Sequence, residues 1–332
     1  MRRFTVILLA IITALSFASC SSARDNEVIT INDGAATVNT DVFSYYLKTA
    51  MTDNKNMTDS EYLDIATNEC IKYVAVNTKF KQLDMTLTPA QKAEVSKETN
   101  TLWRQYGEYY SALGITKETF YKIKTAEEYR EAIRFRLFDT GGETPVSEAD
   151  IKAVFNSEYC GFRFVCDYLY DTDENGNTVK KSQSEIDEIY NNYLSAASEI
   201  NNSGANLEEA YARFASDEAY NSLSLDTVLI GRDSGFPDGF FDTVQKAEYN
   251  KAVVIITDDY LYLLIREDIL SADYDFYTQY RDRCLVKATE NPLSDAVAGW
   301  AKEYNAVRQI NTAKKCYKKV LKTDENSKKT IN

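Results

Sequence analysis

The chain has 332 residues with 44% hydrophobic content, enough for two packed domains and too much for a disordered protein. Its formal charge of −13 argues against a phosphate-binding surface, and so against nucleic acid as a partner. The complete absence of histidine excludes Ser-His-Asp and Cys-His nucleophile pairs, imidazole acid–base catalysis and histidine-ligated metal sites.

With 4 Pro and 12 Gly to punctuate it, the chain is expected to be mainly helical. It opens with basic Met1-Arg-Arg3, an apolar run from Phe4 to Phe17 too short for a comfortable membrane span, and then Ala-Ser-Cys20. Small residues before a cysteine at the end of such a run resemble the lipobox of bacterial lipoproteins. That resemblance implies acylation of Cys20 and a lipid-anchored protein on the extracytoplasmic face of a bacterial cell membrane. A plain secretory signal and an uncleaved anchor are the alternatives.

Residues 21–27 read as a polar tether. Val28 to Ile31, Asn32-Asp-Gly34 and Ala35 to Val38 predict a small hairpin, because Asp-Gly supplies positive φ at little cost. Asn39 or Thr40 can cap a helix carrying Phe43, Tyr46, Leu47 and Ala50 on one face. A second helix is expected from Asp59-Ser60, with Leu63, Ala66, Cys70 and Val74 as its stripe. Thr88-Pro89 starts a third, which Gly114 ends. Thr116 starts a fourth, which stops at Gly141-Gly142. Val146-Ser-Glu-Ala-Asp150 resembles a capping box and opens a short helix through Ile151 and Phe155.

The stretch from Phe162 to Ile269 then changes character. It reads as an alternating strand from Phe162 to Tyr170, a turn at Asp173-Glu-Asn-Gly176, two helices, and a hairpin made of Ala252 to Thr257 and Tyr260 to Arg266. Helices are expected again over Asp273 to Ala288 and Pro292 to Tyr304, followed by a short strand at Ala306 to Ile310 and a last helix from Thr312 to Leu321. Residues 322–332 form a Lys-rich polar tail expected to be disordered.

Several local patterns carry a bland reading beside a functional one. Asp171 to Gly176 matches half of a calcium loop, but the twelfth position is Ser182 where the motif needs a bidentate Glu, so no metal is expected. Cys70, Cys160, Cys166, Cys284 and Cys316 follow Cys20 and read as buried single thiols. Cys160 and Cys166 would stand roughly 20 Å apart in one strand, against a limit near ~7 Å for a disulfide. Of the 24 tyrosines, Tyr45, Tyr46, Tyr106, Tyr109, Tyr110, Tyr121 and Tyr129 crowd the first helices. They suit helix packing first and a broad polypeptide-binding surface second.

The order of parts resembles PrsA-type foldase lipoproteins and the related SurA-type chaperones. The resemblance implies an α+β protein: a SurA-like helical chaperone domain made of residues 28–159 and 271–321, with a parvulin-like α+β domain inserted over 160–270. Asp167-Tyr-Leu169 matches the first-strand His-Ile-Leu of the parvulin family, Phe214-Ala-Ser-Asp217 its Tyr-Ser-x-Asp, Asp238-Gly-Phe-Phe241 its Pro-x-Phe, and Tyr260 to Leu264 its closing strand. Asp167, Asp217, Phe241 and Tyr262 are therefore the expected residues of a degenerate isomerase cleft.

Prolyl isomerisation requires a twisted amide to be favoured over its ~20 kcal/mol barrier. Both family histidines are replaced, so catalysis is expected to be weak or lost. The implied work is binding of unfolded or exported polypeptides, with the membrane met through acylated Cys20, no cofactor, and a homodimer among the assemblies to test. An active peptidyl-prolyl isomerase and a surface lipoprotein with a dedicated ligand-binding or structural role are the alternatives.

Overall fold

In the computed structural model the described residues are 26–214, 222–271 and 273–331. The apolar leader with Cys20, and Asp217, lie outside them. The chain is an α+β protein divided into two compact units. One runs to Pro145 and resumes at Thr289; the other is Val146–Ala288.

The first unit is helical around a three-stranded sheet. Strands β1 (Glu27–Ile31) and β2 (Ala36–Asn39) are joined by a tight turn in which Asn32 and Asp33 take positive φ. Helices α1 (Thr40–Asp53), α2 (Asp59–Gln82), α3 (Pro89–Ala112) and α4 (Lys117–Phe138) follow. Their starts are chemical. Thr88 and Gln91 form a full capping box ahead of Pro89, and Thr116 accepts from the Thr119 N–H. For α2 the cap is Thr58, paired reciprocally with Glu61, one residue before the expected Asp59-Ser60.

The chain returns to this unit as α10 (Glu290–Ala301), β9 (Ala306–Arg308) and α11 (Ile310–Ile331), β9 completing the sheet against β1. At the point of return the buried Arg134 guanidinium donates to the Thr289 hydroxyl at 3.0 Å and pairs with Glu131 at 2.8 Å. The tail is not disordered as expected: α11 continues to Ile331. Its buried stripe of Ala313, Cys316 and Val320 extends to Thr323, and Asp324 accepts from Lys48 at 2.7 Å and from the Tyr109 hydroxyl at 2.5 Å. These partners come from α1 and α3, which the tail sequence itself does not reveal.

The second unit contains α5 (Glu148–Glu158), β3 (Tyr159–Tyr168), β4 (Tyr170–Thr172), β5 (Thr178–Lys180), α6 (Gln183–Ser203), α7 (Leu207–Phe214), β6 (Ser222–Gly231), α8 (Phe240–Lys246), β7 (Ala252–Ile256), β8 (Tyr260–Glu267) and α9 (Phe276–Ala288). Its main sheet has the order β6-β3-β8-β7, antiparallel throughout. Strand β6 and helix α8 have no counterpart in the sequence-based expectation. The unit is also wider than residues 160–270, because α5 and α9 belong to it. The Phe155 ring meets Tyr277 edge-on at 5.4 Å, and Arg281 pairs with Glu148 at 3.0 Å. Hydrogen bonds from Tyr277 and Arg281 hold the Glu148 carboxyl below its usual range.

The half-matched calcium loop is the turn of the small β4–β5 hairpin. The Asp173 carboxylate accepts from the backbone N–H groups of Asn175 and Asn177 and organises the turn by itself. All five described cysteines are buried and none is in a disulfide, Cys160 and Cys166 standing at two points of β3. Among the described residues, no helix is long and apolar enough to cross a membrane.

Candidate functional site

Strands β3 and β8 form the middle of the sheet, and their register decides which side chains share a side. Cys166 stands opposite Tyr262, and Asp167 opposite Leu261. Successive residues of a strand point to opposite faces, so Asp167 and Tyr262 lie on different faces of the sheet.

The face toward α6 is an apolar core of Val165, Leu261, Leu263 and Ile265 packed on Ile186, Tyr193 and Ile200. Asp167 is buried on this side. Burial raises its carboxyl above the usual range, while a hydrogen bond from Tyr193 and the charge of Lys181 pull the other way. A raised folded pKa means that the native state holds its proton more tightly than the unfolded chain does. Stability therefore falls as pH rises from the unfolded value, near 4, through the folded one. Asp167→Asn is expected to flatten that decline and to raise the neutral-pH urea midpoint. A wild-type pH profile retained in the variant would refute the assignment.

The opposite face is aromatic. Cys160, Phe162, Cys166, Tyr262 and Leu264 of the sheet pack with Phe240, Phe241 and Val244 of α8. The Phe240 ring stacks on Phe236 at 4.6 Å and meets Tyr262 edge-on at 5.0 Å. Phe164 approaches Tyr262 at 5.9 Å. From Tyr262 the row continues through Tyr260 at 5.9 Å and Tyr168 at 5.0 Å; Tyr170, 5.2 Å beyond, packs against the α6-side core. Phe240 and Tyr262 are buried, Phe164, Phe236, Tyr168 and Tyr170 are half-buried, and Tyr260 is exposed. The result is an apolar surface with a fixed base and solvent-facing rings.

Of the four residues expected at the site, Phe241 and Tyr262 share this cluster, Asp167 lies behind the sheet, and Asp217 falls outside the described residues. The residue facing Tyr262 across the strands is Cys166, one position from the expected Asp167. The ring against Tyr262 is Phe240. Phe241 instead carries the Arg232 guanidinium, 4.6 Å from its centroid. The period-two series Phe162, Phe164, Cys166, Tyr168 is the sequence signal for this face.

Titration narrows what the face can do. Burial first, then the charges of Cys166, Tyr260 and Asp259, push the Tyr262 phenol up to about 12, so it is a neutral hydrogen-bond donor at physiological pH. Burial pushes the Cys160 thiol up to about 12 as well, which makes it a poor nucleophile. Among the described residues, no cluster of three or more acidic or thiol side chains could hold a metal ion. The face offers rings, methyl groups, two buried thiols and the phenols of Tyr262, Tyr260 and Tyr168.

Fold and face together define an α+β unit with an aromatic surface, carried in a chain whose two ends build a helical unit. No protein-family model matches the chain, and no curated protein matches it. Among solved structures it is similar to the foldase protein PrsA from Streptococcus pneumoniae, at 12% identity and a TM-score of 0.34, over 80% of this chain and 89% of that one. It is also similar to the foldase PrsA from Lactococcus lactis, at 14% identity and 0.35, over 89% and 98%. A third such structure is PrsA from Bacillus subtilis, at 13% and 0.28, over 89% and 93%.

Proposed function

We propose that this chain is a foldase-type chaperone that binds extended apolar segments of exported, incompletely folded polypeptides on the aromatic face of β3 and β8. The observation that carries this reading is the row of partly exposed rings from Phe236 to Tyr168 on a buried aromatic base. Aromatic rings bury much area at small entropic cost and accept varied partners, as a general client surface requires. In this reading the protein works on the extracytoplasmic side of a bacterial membrane, held by acylated Cys20. Cys20→Ser should then leave the membrane fraction, and retention there would refute the anchor.

Prolyl isomerisation is weak or absent in this proposal. The strand pair at the base of the face is Cys166 and Tyr262, with the nearest strand carboxylate, Asp167, turned to the other side. Uncatalysed exchange of X-Pro peptides takes tens to hundreds of seconds, so even modest catalysis would be visible by NMR exchange. No acceleration is expected. Acceleration abolished by Phe240→Ala would establish an isomerase in its place.

The central test is light scattering from three unrelated denatured clients, with client-peptide affinity read by fluorescence anisotropy. Stoichiometric protein is expected to suppress all three, and Phe236→Ala combined with Tyr260→Ala to weaken affinity about 10-fold or more. Each ring contributes roughly 1 kcal/mol or more beyond simple area. Suppression of a single client would identify a dedicated binder, and unchanged affinity in the double variant would move the surface elsewhere.

A further inference from the structure

The main sheet of residues 146–288 ends at β7, and that strand carries backbone groups its own sheet does not use. Asn201 fixes which ones they are. Its side-chain amide donates to the Ala252 carbonyl at 2.9 Å and accepts from the Ala252 N–H at 2.8 Å, so both groups of Ala252 point away from β8. At the far end the Thr257 N–H donates to the Tyr260 carbonyl at 2.8 Å, toward β8. Antiparallel pairing alternates these directions residue by residue, which turns Val253 and Ile255 toward β8 and Val254 and Ile256 outward. Among the described residues the outward N–H and C=O groups of Val254 and Ile256 have no partner.

At Ala252 the Asn201 amide makes the two-bond exchange that a residue of an added antiparallel strand would make. Val254 and Ile256 repeat the geometry with the place open. Natural edge strands are usually blunted by charge, proline or a bulge. Residues 252–256 read Ala-Val-Val-Ile-Ile, their pairing with β8 is regular, and the Ile256 side chain is 52% exposed. Ile255 pairs with Tyr262 and shares the aromatic face, while Val254 packs on the α6 side, so an added strand would lay alternate side chains along each face.

We propose that β7 accepts an extended polypeptide as a fifth, antiparallel strand, hydrogen-bonded through Val254 and Ile256. The segment taken is apolar at alternate positions and basic at its N-terminal end. Antiparallel addition brings that end past Ile256 to Asp258 and Asp259, both exposed and both without an ion-pair partner among the described residues. Ile256 supplies the apolar cross-strand neighbour. The inference rests on the polypeptide-binding reading and states how the client backbone is held: strand addition gives affinity through main-chain bonds and selects through alternate side chains.

The probe is a nine-residue peptide, two lysines followed by alternating threonine and valine, labelled at its C-terminus and titrated against the full-length chain by anisotropy. A scan of single N-methylations is expected to weaken binding about 10-fold at the two alternate residues that pair with Val254 and Ile256 and less than about two-fold elsewhere, because only those two donors face the open edge of β7. Val254→Pro removes an outward N–H that the β8 ladder does not use. It is expected to weaken the parent peptide about 10-fold with an unchanged circular dichroism spectrum. Asp258→Asn with Asp259→Asn should weaken it further and flatten the salt dependence.

A flat N-methyl scan, with binding still abolished by Phe236→Ala, would overturn strand addition and leave the aromatic-face reading standing. Peptide binding insensitive to both would overturn the two together. A dimer in sedimentation velocity that Val254→Pro dissociates would make a second copy of the chain the occupant and overturn the client assignment.

Discussion

Replacing Phe120 by alanine is expected to lower the stability of the helical unit by about 3–5 kcal/mol, the range for deleting a fully packed aromatic ring. Phe120 is 1% exposed and stands among Tyr110 at 4.8 Å, Trp103 at 5.9 Å and Tyr45 at 6.0 Å. These rings join Phe43, Leu47, Leu63, Leu113 and Val320 in one cluster drawn from both ends of the chain, so no single helix can close over the cavity. Trp103 and Trp300 both belong to this unit, and the urea midpoint of tryptophan emission therefore reports on it alone. A constant m-value with a lowered midpoint is the expected signature. Tyr106→Ala, at a side chain 45% exposed, should cost less than about 0.5 kcal/mol. A similar loss at both positions would contradict the packing described.

The same cluster decides between the two readings of the tyrosine-rich helices. Tyr45, Tyr46, Tyr109 and Tyr110 pack against the core, and burial drives the Tyr46 hydroxyl well above its ordinary pKa. Most of these residues hold helices together. The tyrosines arranged in a row lie instead on the strands of residues 146–288, where buried Tyr262, exposed Tyr260 and half-buried Tyr168 come from sequence positions almost a hundred apart.

Local chemistry was legible in the sequence. Thr88-Pro89, Thr116 and Ser147 mark helix starts, and Gly114 takes the positive φ of a helix end, because each acts on backbone groups within three or four residues. What was not legible depended on distant partners. Strand β6 interleaves Ser, Asp and Thr with its apolar residues and becomes a strand by pairing with β3, about sixty residues earlier in the chain. Helix α11 keeps its last turns because Lys48 and Tyr109 meet Asp324. From Cys166 to Asp167 is one residue, the smallest step along a strand. It moves a side chain through the sheet, because register is set by pairing and not by the strand's own sequence.

Phe162→Ala should damage the aromatic face without removing any ring a client could touch. Phe162 is 0% exposed, yet its ring lies 5.7 Å from Phe164, 5.7 Å from Phe240 and 6.1 Å from Phe236. It is the base on which the partly exposed rings are fixed. Loss of its volume is expected to cost about 3–5 kcal/mol, and the tryptophans cannot report it, since both lie in the other unit. The buried thiols Cys160 and Cys166 share its strand and face, so their native-state labelling should accelerate roughly 100-fold or more as openings of the sheet become less costly. Client affinity should fall in parallel, because Phe236 and Phe240 lose their backing and with it their preorganised positions. Tyr260→Ala gives the contrast: affinity falls while thiol labelling keeps its wild-type rate, since that ring is exposed and supports nothing beneath it. If Phe162→Ala speeds labelling and leaves client affinity intact, the rings do not act as a preorganised surface. Clients would then be held by the backbone edge of β7 or outside this sheet altogether.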